Sequence, residues 1–215
     1  MKTKVGILAV SLLALAGVFA AAPSSAQSVL YDNTGPTSLT TNAWSFSSGV
    51  SSVTDSFSLS QESVIDGVTF DAWINPGDSL ASETWAITTT PFGTPIATGN
   101  VTGGPNTQVA TADGYYPVLA ESISLPPVSL GAGTYWLQLS NGLDSYDVGV
   151  WWDESSGLST AYSSASGLVP SETFQILGVV PEGGSFLLYL LLAIASCGGA
   201  ILVSARSGAT PRASV

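Results

Sequence analysis

Apolar and polar side chains alternate along short runs between residues 28 and 178. The runs are rich in β-branched and aromatic residues, and Gly, Pro, Asn, Asp and Ser interrupt them. A repeat of two residues is the repeat of a strand that buries one face. The pattern therefore predicts an all-β fold, a sandwich or a barrel, and no stretch of useful length has the helical period.

The predicted strands coincide with the alternating runs. They are Val29–Asp32, Trp44–Phe46, Val53–Leu59, Ser63–Ile74, Glu83–Thr89, Thr94–Val101, Thr107–Ala112, Leu119–Leu125, Gly133–Leu139, Val148–Trp152, Ser159–Ala161 and Glu172–Leu177. Turn-forming residues at 75–78, 103–106, 131–133 and 141–142 separate them. We predict one β-sandwich domain over residues 27–178, which is long enough to bury its own core.

The alternation also assigns side chains to faces. Core-facing positions are predicted at Val68, Phe70, Ala72, Ile74, Tyr135, Leu137, Leu139, Val148, Val150 and Trp152. Outward-facing positions are predicted at Thr69, Asp71, Trp73, Trp136, Gln138 and Trp151. Three tryptophans are thus expected on outer faces.

Two interpretations of these tryptophans are open. A loop or second layer can cover them, since Trp is usually well buried and finds a partner for its N–H. Alternatively, Trp73, Trp136 and Trp151 form a platform that stacks sugar rings, with hydrogen bonds from Asp71, Gln138 or Asn75.

Composition excludes several functions. The 215-residue chain has 4 Lys and Arg against 15 Asp and Glu, no His and one Cys. The charge balance argues against nucleic-acid binding, which requires basic groups. A Cys/His zinc site and a His-dependent nucleophile are also excluded, so no catalytic residue is assigned.

All four basic residues, Lys2, Lys4, Arg206 and Arg212, lie near the two ends. Residues 27–180 carry 14 acidic side chains and no Lys or Arg. Such a surface avoids anionic polymers and lipid headgroups. Neutral glycans, cationic partners and divalent cations remain as ligands.

Carboxylates are the only side chains of the predicted β-domain that suggest a chemistry. Asp144 with Asp147, and Asp153 with Glu154, are candidates for calcium, and Asp32–Asn33 would join them if the first and last strands were neighbours. The alternative is solvated loop acids. A glycosidase using Asp153 and Glu154 is a further alternative, although neighbours on a strand point to opposite faces.

The N-terminus predicts an exported protein. Lys2 and Lys4 precede a Leu- and Ala-rich run, and small residues then end at Ala26. We expect a signal peptide over residues 1–26, cleaved between Ala26 and Gln27. The alternatives are cleavage near Pro23, after Ala20-Ala21-Ala22, and a retained anchor. The exported part lacks Cys, so no disulfide stabilises it.

The C-terminus predicts a membrane segment. Val180-Pro181-Glu182 precedes an uncharged run, within which residues 186–203 are long enough to span a bilayer. Arg206 beyond it keeps residues 207–215 in the cytoplasm by the positive-inside rule. Cys197 falls in this predicted helix. Two roles are open for it: a small residue packed in the membrane segment, or a site of lipidation.

Residues 179–206 resemble the PEP-CTERM sorting signal, with its Val-Pro-Glu motif, apolar helix and basic end. The resemblance implies an exosortase as processing partner, in bacteria that make exopolysaccharide. Gly183 departs from the second Pro of the motif, and Arg206 and Arg212 are not clustered. An ordinary single-pass anchor would give the same topology without processing.

A second resemblance covers nearly the whole β-domain. The matching stretches are residues 29–33, 55–59, 65–70, 131–137, 152–157 and 170–174. They are similar to an ectodomain found with this sorting signal, which implies a jelly-roll-like sandwich related to carbohydrate-binding modules. The family's activity is generally unassigned.

The expected function is that of an exported, membrane-sorted protein of the cell surface or extracellular matrix. It would be structural or adhesive, associated with exopolysaccharide, and would bind neutral glycans. The alternatives are a carboxylate-dependent glycosidase and an anchored ectodomain without a ligand. Apart from calcium, no cofactor is expected.

Overall fold

A computed structural model describes residues 27–34 and 42–181. Within these ranges the chain forms thirteen strands and no helix. The strands are β1 (Ser28–Asp32), β2 (Ala43–Ser45), β3 (Ser52–Leu59), β4 (Ser63–Trp73), β5 (Leu80–Thr88), β6 (Ala97–Thr102), β7 (Thr107–Ala112), β8 (Tyr116–Leu130), β9 (Gly133–Asp144), β10 (Trp151–Asp153), β11 (Ala161–Ser163), β12 (Gly167–Val169) and β13 (Phe174–Val179).

Sheet I is built around the long strand β4. One edge of β4 pairs with β8, which in turn pairs with β7. The other edge is shared by two strands, with β13 beside Val64–Phe70 and β10 beside Ala72–Trp73. β1 continues the sheet outside β13, and β2 continues it outside β10.

Sheet II has the order β12-β11-β3-β9-β5-β6 among the described residues, and its pairings are antiparallel. The inner faces of the two sheets enclose one hydrophobic core. Its largest fully buried side chains include Trp152, Phe46, Phe57, Phe70 and Phe174. This arrangement of two sheets around one core is that of a β-sandwich.

Edge-to-face packing orders the aromatic part of the core. The Phe70 and Trp152 rings lie 6.3 Å apart at 72°, and the Trp152 and Phe174 rings 5.7 Å apart at 66°. These are favourable geometries for aromatic pairs. The buried N–H of Trp152 donates to the Thr173 carbonyl at 2.8 Å, so this core tryptophan has no unmet donor.

The strand prediction is largely confirmed, although β11 spans Ala161–Ser163 where Ser159–Ala161 was predicted. Three further corrections apply. Asn141–Gly142 does not separate strands but lies within β9, where Asn141 has a φ of +53° and the register against β5 shifts. The short strand β12 was not predicted. Val148 was expected inside and is 62 % exposed, because it lies in the loop before β10 rather than in the strand.

Several predictions at the chain ends lie outside the described residues: the 1–26 signal with Ala26, Glu182 of the sorting motif, the 186–203 helix and the 207–215 tail. The chain divides into two compact units after Val179, and of the second only Val180 and Pro181 are described. The part of the chain that the structure describes contains no helix able to cross a membrane.

Candidate functional site

An aromatic patch lies on the outer face of sheet I. Trp73 on β4 and Trp151 on β10 are directly opposed in the antiparallel register, so their side chains share a face. The opposite neighbour of Trp73 is Val118 on β8. The prediction that both tryptophans face away from the core is confirmed, since they belong to a second cluster separate from the central one.

The β7–β8 hairpin supplies two more rings to this patch. Its turn places positive φ angles at Asp113 and Gly114, as in a type I′ turn. Tyr116 then stacks on Trp73 with ring centroids 6.0 Å apart and lies 6.1 Å from Trp151. Tyr115, which is 60 % exposed, meets Tyr116 edge-on at 4.9 Å.

The rings border an open cleft of about 200 Å³, lined by Asn42, Ala43, Trp73, Tyr116 and Trp151. Trp73 forms its floor and is only 7 % exposed, whereas Trp151 and Tyr116 are half-buried. Both interpretations of the outward tryptophans therefore apply in part. Trp73 is covered by its neighbours, and Trp151 with Tyr116 presents an accessible aromatic surface.

Two carboxyl groups accompany the patch. Asp153 is 4 % exposed and accepts a hydrogen bond from the Trp73 indole N–H. Burial raises the pKa of Asp153 to about 7, with the Trp73 hydrogen bond acting in the opposite direction. Asp71 shares the outer face of β4 with Trp73, and burial raises its pKa to about 6. Asp71 and Asp153 are close enough for their charges to interact.

Trp136 and Gln138 are placed elsewhere. Both lie on the outer face of β9 in sheet II, on the opposite side of the sandwich from Trp73 and Trp151. Trp136 is half-buried, and its ring lies 5.7 Å from that of Tyr162. The three tryptophans therefore do not form one row. Trp73 and Trp151 are neighbours on sheet I, and Trp136 lies on sheet II. Asn75, the remaining polar candidate, lies in the turn after β4.

Asp144 organises a loop. Its carboxylate accepts backbone N–H groups from Tyr146 at 3.2 Å, Val148 at 2.8 Å and Gly149 at 2.9 Å. Asp147 belongs to the same loop and borders a small cleft of about 70 Å³. These three hydrogen bonds satisfy the Asp144 carboxylate without a bound ligand.

The other pair of predicted calcium ligands lies at the end of β10, and the two side chains diverge. Asp153 accepts from Trp73, whereas Glu154 accepts from the Trp44 indole at 2.9 Å and from Asn42 at 3.0 Å. The two carboxylates thus bind different indoles. Across residues 27–34 and 42–181, no group of three or more His, Cys, Asp or Glu is arranged to hold a metal ion.

The first and last strands are neighbours, as the Asp32–Asn33 hypothesis required. Asn33 is 4 % exposed, and its side-chain nitrogen lies 2.6 Å from Ser171 Oγ, 2.6 Å from the Glu172 carbonyl and 2.8 Å from Ser159 Oγ. It therefore joins the end of β1 to the segment before β13. Asp32 is exposed and accepts from Thr34.

Two pairs of buried acids were missed by sequence reasoning. Asp55 on β3 and Glu172 before β13 are both 0 % exposed, and Glu83 on β5 and Glu121 on β8 are 2 % and 1 % exposed. In each pair one acid lies on sheet II, and the other lies on sheet I or in the segment that leads into it. The sequence signal was an acid on the apolar side of an alternating run, as in Leu119-Ala-Glu121-Ser-Ile123.

The two members of the Asp55–Glu172 pair differ in their partners. Asp55 accepts the Glu172 N–H at 2.7 Å, the Ser159 hydroxyl at 2.8 Å and the Ser56 N–H at 2.6 Å, yet burial still raises its pKa to about 6. Neither carboxyl oxygen of Glu172 has a hydrogen-bond partner. Burial, followed by the charge of Asp55, holds the pKa of Glu172 well above its usual value.

Comparison with known proteins assigns no relationship: no protein-family model matches the chain, and no curated protein matches it. The candidate site therefore has to be interpreted from its own chemistry.

Proposed function

We propose that this is an exported protein of the cell surface or extracellular matrix whose β-domain binds neutral glycans in the aromatic cleft. The observation that carries the proposal is the pairing of Trp151 with Tyr116 beside the floor formed by Trp73. Flat aromatic faces pack well against the apolar faces of sugar rings. Accessible aromatic clusters of this kind commonly mark binding sites.

Charge selects the class of glycan. The described residues carry no Lys, Arg or His, and Asp71 and Asp153 lie beside the cleft. An anionic polysaccharide would meet repulsion and no compensating cation. A neutral sugar can instead donate hydroxyl hydrogen bonds to the carboxyl group of Asp71, and Asn42 lines the same cleft.

The cellular setting rests on the two ends of the sequence. Lys2 to Ala26 would direct export, and Val180-Pro181-Glu182 with the following apolar run would direct PEP-CTERM-type sorting by an exosortase. The protein would be anchored in the inner membrane before release to a surface that contains exopolysaccharide. In the finer classification of the fold we propose a jelly-roll-like sandwich.

Affinity electrophoresis of the full-length protein tests glycan binding. Gels would contain laminarin, dextran or mannan, with alginate as the anionic comparison. We expect retardation by at least one neutral polymer and none by alginate. Trp151→Ala and Tyr116→Ala should each weaken binding at least about tenfold, which corresponds to ~1.4 kcal/mol.

Trp136→Ala is the matched control, because it removes the same side chain from the outer face of the other sheet. It should retain wild-type retardation. The proposal fails if none of the neutral polymers retards the protein, or if Trp136→Ala loses as much affinity as Trp151→Ala.

Intact mass of the protein from envelope and supernatant fractions tests the sorting step. A species that starts near Gln27 and ends near Glu182 is expected. A single membrane-bound species that extends to Val215 would leave a plain anchor in its place.

A further inference from the structure

A second candidate site lies inside the sandwich, between Glu83 and Glu121. Glu83 shares the inner face of β5 with Trp85, and Glu121 shares the inner face of β8 with Leu119 and Ile123. The two side chains are 2 % and 1 % exposed. They approach from opposite sheets closely enough that the charge of Glu121 acts on Glu83.

Three of the four carboxyl oxygens in this pair have no hydrogen-bond partner. They are Oε1 and Oε2 of Glu83 and Oε1 of Glu121. Oε2 of Glu121 accepts only a long bond of 3.4 Å from the Asn106 N–H. Two carboxyl groups buried without partners are strongly unfavourable, and the described residues include no Lys, Arg or His to compensate them.

The segment 103–106 closes over the pair. Asn106 holds it in place, with its Oδ1 accepting the Leu80 N–H at 2.6 Å and its Nδ2 donating to the Gly104 carbonyl at 2.9 Å. A Cβ at Gly104 would overlap Oε2 of Glu121, so the main chain approaches this carboxyl group closely. The main chain of residues 103–106 therefore packs directly against the Glu121 carboxyl group.

We propose that Glu83 and Glu121 bind a divalent cation of the calcium class between the two sheets. Calcium accepts six to eight oxygen ligands in flexible geometry, so the three free carboxyl oxygens, completed by water, suit it. Magnesium requires a near-ideal octahedron and loses water reluctantly, which a site dominated by two carboxylates fits less well. The cation would neutralise the pair and join sheet I to sheet II. This site is independent of the aromatic cleft.

Thermal unfolding of the full-length protein tests the site. At pH 7.5 we expect calcium, at about a hundredfold above its dissociation constant, to raise Tm by roughly 5–10 °C over the value in EDTA. Glu83→Gln and Glu121→Gln keep the shape of the side chain and remove its charge. Both should fold in EDTA and lose the calcium-dependent shift, whereas Asp144→Asn should retain it.

Terbium luminescence supplies a direct measurement on the wild-type protein. Terbium replaces calcium in oxygen sites, and a nearby indole sensitises its emission. Trp85 lies two residues from Glu83 on the same face of β5, so excitation of tryptophan should produce terbium emission that calcium displaces. Trp85→Phe should weaken the emission and preserve the calcium-dependent rise in Tm.

Three results would overturn the proposal: a wild-type Tm that calcium does not change, a calcium shift that survives in Glu83→Gln, or terbium emission that persists in Glu121→Gln. Protonation of the two carboxyl groups would then account for their burial. Trp151→Ala should leave the calcium shift intact, so failure of glycan binding and failure of this site are distinguishable.

Discussion

Trp73 on β4 donates its indole N–H to the buried carboxyl group of Asp153 on β10. The two strands pair beside this bond, at Trp73–Trp151 and Ala72–Trp152. The floor of the aromatic cleft is therefore fixed by a polar contact as well as by ring packing.

Trp73→Phe should destabilise the protein by about 1–3 kcal/mol, because it leaves a buried acceptor unmet. It should also raise the pKa of Asp153 further, since the indole hydrogen bond lowers it. Urea unfolding at pH 7 measures the first effect. The half-buried Trp136 is the control, and Trp136→Phe should cost well under 1 kcal/mol. Equal losses in the two variants would contradict this assignment.

Stability should fall as the pH rises from 5 to 8 in EDTA. The pKa of Glu172 is raised by burial and by Asp55, so the folded protein keeps a proton that the unfolded chain has lost. A raised acid pKa contributes stability that is complete below the unfolded pKa and is lost through the folded one. The free energy of unfolding should fall by about 1.4 kcal/mol per pH unit for each such proton.

Glu172→Gln should remove one proton's share of this slope, leave the shares of Asp55, Asp71 and Asp153, and unfold later than wild type at pH 8. The exposed Glu62 offers a matched control, and Glu62→Gln should follow the wild-type curve. Chemical unfolding across this pH range compares the three proteins. An unchanged slope in Glu172→Gln would remove Glu172 as the source.

Asn33→Ala should lower the free energy of unfolding by about 2–3 kcal/mol. It removes a buried amide that contacts Ser171, Ser159 and the Glu172 carbonyl, and it leaves that carbonyl without the Asn33 donor. Asn100→Ala, at an exposed position on β6, should stay within about 0.5 kcal/mol of wild type. Urea midpoints at constant slope give both values, and a neutral Asn33→Ala would show that the network is dispensable.

Gly142→Ala should destabilise by about 1–3 kcal/mol, since overpacking a core displaces its neighbours. A Cβ there would lie 2.6 Å from Cε2 of Phe46, which is fully buried. Gly131 has no atom within 4 Å of the same position, so Gly131→Ala is the control and should be close to neutral. The Tm values of the two variants test this. A lower Tm in Gly142→Ala alone indicates overpacking, whereas similar changes in both variants would indicate a general effect of replacing glycine.

The alternation of side chains was sufficient to predict most strands and their faces. β7 was predicted at its observed bounds, and the inward positions Val68, Phe70 and Ala72 are in the core. Local periodicity succeeds here because each strand buries one face. It failed at Val148 and at Asn141–Gly142, where a loop and an irregular register replace regular pairing.

The candidate sites depended on pairings that local pattern does not contain. Tyr116 reaches Trp73 only because the β7–β8 turn and the β4–β8 register bring them together. The alternation of side chains alone grouped Trp136 with Trp73 as outward-facing. Alternation does not say which sheet a strand joins. The acids on apolar positions, such as Asp55 and Glu121, were visible in the sequence and were not recognised as buried.

The placement of β13 determines how the domain carries tension. β13 lies between β1 and β4, and its ladder with β4 runs from Phe174–Phe70 to Val179–Val64. Val179 is therefore at one end of β4, and Trp73 is at the other. Under the proposed function, a pull between the chain beyond Val179 and a glycan polymer bound at the aromatic cleft would act along the strands. It would load the ladder in shear, so that its hydrogen bonds share the force and do not open one after another.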